Sequence, residues 1–236
     1  MRKIEICLTP DLLFLHSLEG KIVVVVDILR ATSCMVTAFA HKVEKIIPVA
    51  TVEECKQLQQ QGLIAAAERG GEKVEGFDIG NSPFSYTENS YAGHTIAMTT
   101  TNGTQAIVAS QKAETIVIGA FLNINTVAQY LVSKDNDVVV VCAGWQGNIN
   151  MEDTLFAGAL AQILVGTHTW ENDACYLATT AHEVAKNDYM LYLKECSHFK
   201  RLMRFGLEQD VRFCLKHDVY DVLPYMKEGY LTIKKP

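Results

Sequence analysis

The sequence predicts an α/β protein: mostly parallel sheets flanked by helices, with a helical C-terminal region. Three observations carry this. Short valine- and isoleucine-rich runs recur along the first two-thirds of the chain, and a helical pattern follows nearly every one. Polar, often glycine-containing turns stand at the carboxyl ends of several runs. The 236 residues are 49% hydrophobic and 20% charged. That is the composition of an ordinary globular chain with a sizeable core, and it excludes a disordered one.

Residues 1–10 contain no apolar h-region and are interrupted by Glu5, so no signal peptide is expected. Residues 21–27 (KIVVVVD) read as a strand buried on both faces, and 31–41 as the helix after it. Residues 45–51 form a second strand. Thr51 then caps a helix that has Glu53 and Glu54 in its first turn, runs to Gln61 and is closed by Gly62. Strands follow at 63–68, 95–101, 115–121 and 137–143, with helices at 103–112, 125–133 and 152–164. Residues 68–90 are rich in Gly, Asn and Ser and read as a long functional loop. After Thr167 the strands are expected to stop, with helices over 173–187 and 198–217 and a final short strand within 220–233.

The charge balance, 21 basic against 27 acidic residues, gives −6. No Lys/Arg stripe is present, so no nucleic-acid partner is expected. The most apolar stretch, 155–166, is too short to span a bilayer and contains Gln162, so no membrane partner is expected either. Seven cysteines without a CxxC pair point to free thiols in a reducing cytoplasm.

In an open parallel sheet, a site forms beyond the carboxyl ends of the strands. Four such ends carry unusual polar residues: 27–33, 68–71, 99–104 and 143–153. Thr100, Thr101, Asn102, Gly103 and Thr104 offer hydroxyls, an amide and free N–H groups to a phosphate or sulfonate, or else form an ordinary helix cap. Arg30, Thr32 and Ser33 make a second such turn, and Arg69, Gly70 and Gly71 a third, each with a guanidinium for an oxyanion. Asp27 is a capping carboxylate, a Mg²⁺ ligand or an attacking carboxylate. With Glu152 and Asp153 it makes an oxygen-rich set for one Mg²⁺. For the nucleophile role Asp27 lacks a second acid at Leu29, and Glu68 is the candidate partner. Arg30, at a strand end, is expected to have little core to support. A thiolate phosphatase loop, a Walker A loop and a zincin motif are absent, and the D-x-D-x-V string at 135–139 precedes its strand and reads as a turn.

VVVDILRATS at 24–33 with Cys34 following, AERGGEKVEGFDIGNSPFSY at 67–86, TTTNGTQAI at 99–107 and CAGWQGNINMED at 142–153 occur in this order. Together they resemble the 2-phosphosulfolactate phosphatase family. The resemblance implies a single unit over 1–236 of two intertwined α/β lobes. The four motifs then occupy about 22–165, and a mainly helical segment follows over about 168–217. It implies a Mg²⁺-dependent hydrolase that takes a small anionic phosphate ester, 2-phosphosulfolactate, to 3-sulfolactate and phosphate in the context of coenzyme M biosynthesis. It also brings Asn81 into the substrate-binding set. Cys34 replaces an expected Thr or Ser, and Ser85 an expected Glu. The alternatives are a phosphatase of another small 2-hydroxy-acid phosphate, or a non-catalytic small-anion binding protein. The helical surfaces after Thr167 are compatible with a homodimer.

Overall fold

The computed structural model describes residues 1–88 and 91–233. Its first strand, β1 (Arg2–Cys7), is not legible in the sequence pattern, because Arg2, Lys3 and Glu5 mask the core-facing Ile4, Ile6 and Cys7. β2 (Ile22–Val26) is buried along its whole length, as continuous valine demands, and α1 (Ala31–Ala40) follows it. Next come β3 (Lys45–Pro48) and α2 (Val52–Gln60), the latter with the expected cap. Thr51 Oγ1 accepts from the Glu54 N–H at 3.1 Å, and Glu54 Oε2 accepts from the Thr51 N–H at 3.0 Å.

β4 (Ile64–Arg69) leads into the segment expected to be a long loop. It holds a two-residue strand, β5 (Glu72–Lys73), and a short helix, α3 (Phe84–Glu88). Residues 89–90, at the end of that expectation, lie outside the described residues. The alternation then continues as the sequence predicts, through β6 (Thr95–Thr99), α4 (Gly103–Ala109), β7 (Thr115–Gly119), α5 (Ile124–Val132), β8 (Val138–Cys142) and α6 (Met151–Ile163).

Beyond Thr167 helices dominate, but the strands do not stop. β9 (His168–Trp170) pairs with β1, a partner too distant in sequence to leave a local signal. α7 (Asp173–Ala185) and α8 (Tyr189–Leu193) follow. The helix expected over 198–217 is two, α9 (Ser197–Arg204) and α10 (Glu208–Cys214), broken at Gly206, whose φ of +71° cannot continue a right-handed helix. The tail is a hairpin, β10 (Pro224–Lys227) and β11 (Tyr230–Ile233), where one strand is expected.

Among the described residues eleven strands form one sheet, ordered β5-β4-β6-β3-β11-β10-β7-β2-β8-β1-β9. β4, β6 and β3 make one parallel block; β7, β2, β8, β1 and β9 make another. The C-terminal hairpin lies between them and pairs antiparallel to both, Tyr225 with Val117 and Leu231 with Ile46. These successive antiparallel pairings give the two blocks opposite strand directions. Strand twist, roughly 20–25° per step, turns the opposed blocks toward one another. The chain enters the larger block, builds the smaller and returns. The structure shows one α/β sheet of two parallel blocks flanked by helices; the two intertwined lobes that the resemblance implies are not set apart in it.

Most of the core is one cluster around β2, β8 and α6, with a smaller one of Cys55, Ala65, Ala67, Phe77 and Ala97 under α2. The seven cysteines are free thiols. Among the described residues no helix is long and apolar enough to cross a membrane.

α6 and α7 approach so closely that a Cβ at Gly158 would lie 2.1 Å from the Ala178 carbonyl oxygen. Gly158→Ala is therefore expected to destabilise the fold by about 1–3 kcal/mol. Urea unfolding checks this as a lower midpoint at unchanged slope.

Candidate active site

The carboxyl ends of β2, β4, β6 and β8 meet at one polar cavity, and α9 closes its far side. Asp27, Leu29 and Arg30 line it from the β2 end, Glu68 and Gly71 from the β4 end, and Thr101 and Asn102 from the β6 end. Trp145 comes from the β8 end, Asn81 from the segment before α3, and His198, Arg201 and Leu202 from α9. The unfilled space, mouth included, is about 320 Å³.

The turn after β2 is held by its own hydroxyls. Thr32 Oγ1 donates to the Asp27 carbonyl (2.9 Å) and accepts from the Asp27 N–H (3.0 Å), while Ser33 Oγ donates to the Ile28 carbonyl (2.9 Å). Asp153 ties this turn to the end of β8. Its Oδ1 accepts from the Ile28 N–H (2.8 Å) and its Oδ2 from the Gly144 N–H (3.2 Å). Asp27 is buried against the start of α1, where its Oδ1 accepts a long bond from the Ala31 N–H (3.4 Å). Gly103 packs against it, and a Cβ there would lie 2.8 Å from Asp27 Oδ2, so the turn after β6 must carry glycine at this position.

Across the cavity, the Glu68 carboxylate accepts from the Thr101 N–H (3.2 Å), the Thr101 hydroxyl (3.2 Å) and the Gly71 N–H. Arg30 is 3% exposed; its Nη1 pairs with Asp210 Oδ2 on α10 (2.5 Å) and its Nη2 donates to the Gly71 carbonyl (2.9 Å). Against expectation, then, Arg30 supports the core as well as the cavity wall. His198 Nδ1 pairs with Glu152 Oε1, and its ring stacks on Trp145 with centroids 6.1 Å apart.

These acids crowd one another. Burial raises the Asp27 pKa to about 6; the charges of Glu68 and Glu152 add to the rise, and His198 and the Ala31 N–H oppose it. Burial likewise pushes Asp153 well above the usual carboxylate range, reinforced by Asp27 and Glu152. For His198, burial disfavours the imidazolium, but the hydrogen bond and charge of Glu152, helped by Asp27, outweigh it and the pKa is raised. Glu152 Oε2 is buried without a hydrogen-bond partner among the described residues.

The chain matches the sequence model of the 2-phosphosulpholactate phosphatase family over residues 7–229. A protein of Thermotoga petrophila named "Probable 2-phosphosulfolactate phosphatase" is 38% identical to it, over 92% of this chain and 94% of that one. A protein of Clostridium acetobutylicum with the same name is also 38% identical, over 96% of this chain and 98% of its own length. The chain belongs to the 2-phosphosulfolactate phosphatase family.

Among the site residues that the sequence predicts for this family member, Asp27, Arg30, Glu68, Gly71, Asn81, Thr101 and Asn102 share the cavity. Others are turned to the main chain around it. Thr100 and Thr104 close their turn reciprocally: Thr104 N–H donates to Thr100 Oγ1 (3.1 Å) and Thr100 N–H to Thr104 Oγ1 (3.0 Å). Thr32 and Ser33 are fully buried in their own turn. Arg69 does not line the cavity; its guanidinium donates to the Glu68 carbonyl (2.7 Å), Thr99 Oγ1 (2.9 Å) and the Ala50 carbonyl (3.3 Å). Gly70 serves instead as a seat for Arg201. Among the described residues no group of three or more His, Cys, Asp or Glu side chains forms a ready metal cage. The charges of Asp27, Glu152 and Asp153 nevertheless act on one another. The string at 135–139 lies at the opposite end of β8, as expected, with the Asp137 carbonyl accepting from the Ile22 N–H at 2.9 Å.

Sequence reasoning misses Trp145, His198 and Arg201. Trp145 lies inside a flagged turn. His198, Arg201 and Leu202 sit at i, i+3 and i+4, so they share a face of α9; a histidine and an arginine beside buried Leu202 are the signal that marks it.

A raised carboxylate pKa means that the folded state holds the proton more tightly than the unfolded one. Asp27 therefore removes stability as pH rises from about 4, its unfolded value, through about 6. Asp27→Asn is expected to be more stable than the parent by about 1–3 kcal/mol at pH 7 in metal-free buffer. Chemical denaturation from pH 5 to 8 checks this: the gap should widen with pH and level off above about 7.

Proposed function

We propose that this chain is a Mg²⁺-dependent phosphatase that hydrolyses 2-phosphosulfolactate to 3-sulfolactate and inorganic phosphate. The observation that carries the reading is a cavity with an acidic floor, Asp27 with Glu68 and Glu152 near it, and a basic wall of Arg30, His198 and Arg201. Membership in the phosphatase family supports it. An acidic floor repels a phosphate ester unless a cation sits between them.

The donor set suits a hard cation. Asp27 has its pKa raised by burial, with the charges of Glu68 and Glu152 adding to the rise, and among the described residues Glu152 keeps a buried, unpartnered carboxylate oxygen. Mg²⁺ commonly takes only one or two carboxylates and completes its shell with waters and substrate phosphate, so a full protein cage is not required. Asp27 and Glu152 would hold it, while Asp153, whose two oxygens both accept main-chain bonds, holds the turns in place. When bound, the ion offsets phosphate charge and acidifies a coordinated water.

The protein groups then have separate tasks. Arg30, fixed by Asp210, supplies positive charge where the equatorial phosphate oxygens crowd. Glu68, held by the Thr101 and Gly71 donors, orients the turns that face the phosphate. His198 commits Nδ1 to Glu152, which leaves Nε2 to hold a proton for the departing 2-oxygen. Asp27 acts as ligand or as nucleophile, and the stereochemical course at an isotopically chiral phosphoryl group separates the two: net retention marks a double displacement through an Asp27 acyl phosphate, and inversion marks direct attack by water.

Phosphate release from 2-phosphosulfolactate is expected to require Mg²⁺, to stop with EDTA, and to fall roughly 10²–10³-fold in Asp27→Asn. A panel with 2-phospholactate and 2-phosphoglycerate ranks the substrates. Release that survives EDTA overturns the metal requirement. Binding of these esters without any release leaves an anion-binding protein.

A further inference from the structure

We propose that Arg201 is the specificity-determining residue of this cavity, gripping the non-reacting anionic group of the substrate, carboxylate or sulfonate, at its mouth. The inference rests on the phosphatase reading and deepens it.

The three arginines near the strand ends differ in what remains free. Arg69 is spent on two carbonyls and a hydroxyl away from the cavity. Arg30 shares its charge with the buried Asp210 carboxylate and is assigned to the phosphate. Arg201 has no carboxylate within ion-pair distance among the described residues, so its charge is uncompensated by the protein.

It is nevertheless fixed. The guanidinium lies over the Trp145 ring, 4.9 Å from the centroid, and over Phe205 at 5.6 Å. Its Nη2 donates to the Gly70 carbonyl. The Gly70–Gly71 turn admits that approach: a Cβ at Gly70 would stand 3.4 Å from Nη2, and both glycines have left-handed φ, +66° and +92°. One of five N–H donors is used, and Nε and Nη1 have no protein acceptor among the described residues. A flat guanidinium held on an aromatic face, with donors to spare and little ordering left to do, is suited to two-point contact with an oxyanion.

Charge distribution says which anion. The floor acids and the cation they attract direct the phosphate inward, past Arg30. Any second acidic group on the substrate must then be met elsewhere, and among the lining cations only Arg201 is partly exposed at the rim. An ester without a second anion has nothing to offer it.

The test compares the parent, Arg201→Met and Arg201→Lys on 2-phosphosulfolactate, 2-phospholactate and isopropyl phosphate. In Arg201→Met, kcat/KM for 2-phosphosulfolactate should fall roughly 10–100-fold relative to isopropyl phosphate, mainly through KM. Arg201→Lys, which keeps charge without the planar fork, should recover part of the loss and controls for misfolding. An equal relative loss on 2-phospholactate assigns the carboxylate; a loss confined to 2-phosphosulfolactate assigns the sulfonate. An equal fall on all three esters, or none, overturns the inference. Calorimetric titration with 3-sulfolactate needs no turnover and separates the two readings. If the parent hydrolyses no ester, the phosphatase reading fails, and Arg201 is still decided by whether Arg201→Met weakens 3-sulfolactate binding about tenfold or more. Unchanged binding, or no binding to the parent, overturns it.

Discussion

The carboxyl end of the sheet depends on one buried side chain. Asp153 accepts main-chain N–H bonds from Ile28 and Gly144, the residues just beyond β2 and β8. Those strands are parallel neighbours, so a single carboxylate fixes where both end and how both turns leave the sheet. The side chain is itself placed by its helix, because Asn150 Oδ1 caps α6 through the Asp153 N–H (3.1 Å). Main-chain groups that would otherwise be orphaned in the interior are satisfied, and Asp27 and Trp145 are carried to the cavity by turns the tie holds.

The cost falls on electrostatics. Three buried acids interact at this spot, and burial together with mutual repulsion pushes Asp27 and Asp153 upward. A fold selected only for stability would not collect such charges without a partner for each. His198 relieves one of them, yet among the described residues Glu152 keeps an unpartnered oxygen. Perturbed carboxylates gathered around a cavity are what a site that handles a charged substrate requires.

The C-terminal third completes that site from a distance. α9 brings His198 and Arg201 across the cavity, and α10 brings Asp210 to Arg30. The following hairpin, β10 and β11, inserts between the two parallel blocks and joins them into one sheet. Closing the cavity and closing the sheet are thus the work of neighbouring segments, and the strand ends cannot act as a site until the end of the chain has docked.

The sequence by itself determined the strand and helix alternation, the cap at Thr51 and the four polar strand ends. Each is written in local pattern: valine runs must be buried on both faces, and polar residues after them must sit in turns. It did not reveal β1, β9 or the hairpin as such, since short strands take their identity from partners far along the chain. Nor did it say which polar residue in each turn faces the cavity. Thr101 does, whereas Thr100 and Thr104 close the turn on either side of it, and Glu68 does, whereas its neighbour Arg69 points away. Only the tertiary structure decides that, because every buried N–H and C=O must find a partner. Hydroxyls and guanidinium groups of identical chemistry are divided between satisfying the backbone and meeting a ligand by where the neighbouring strands place the remaining donors and acceptors.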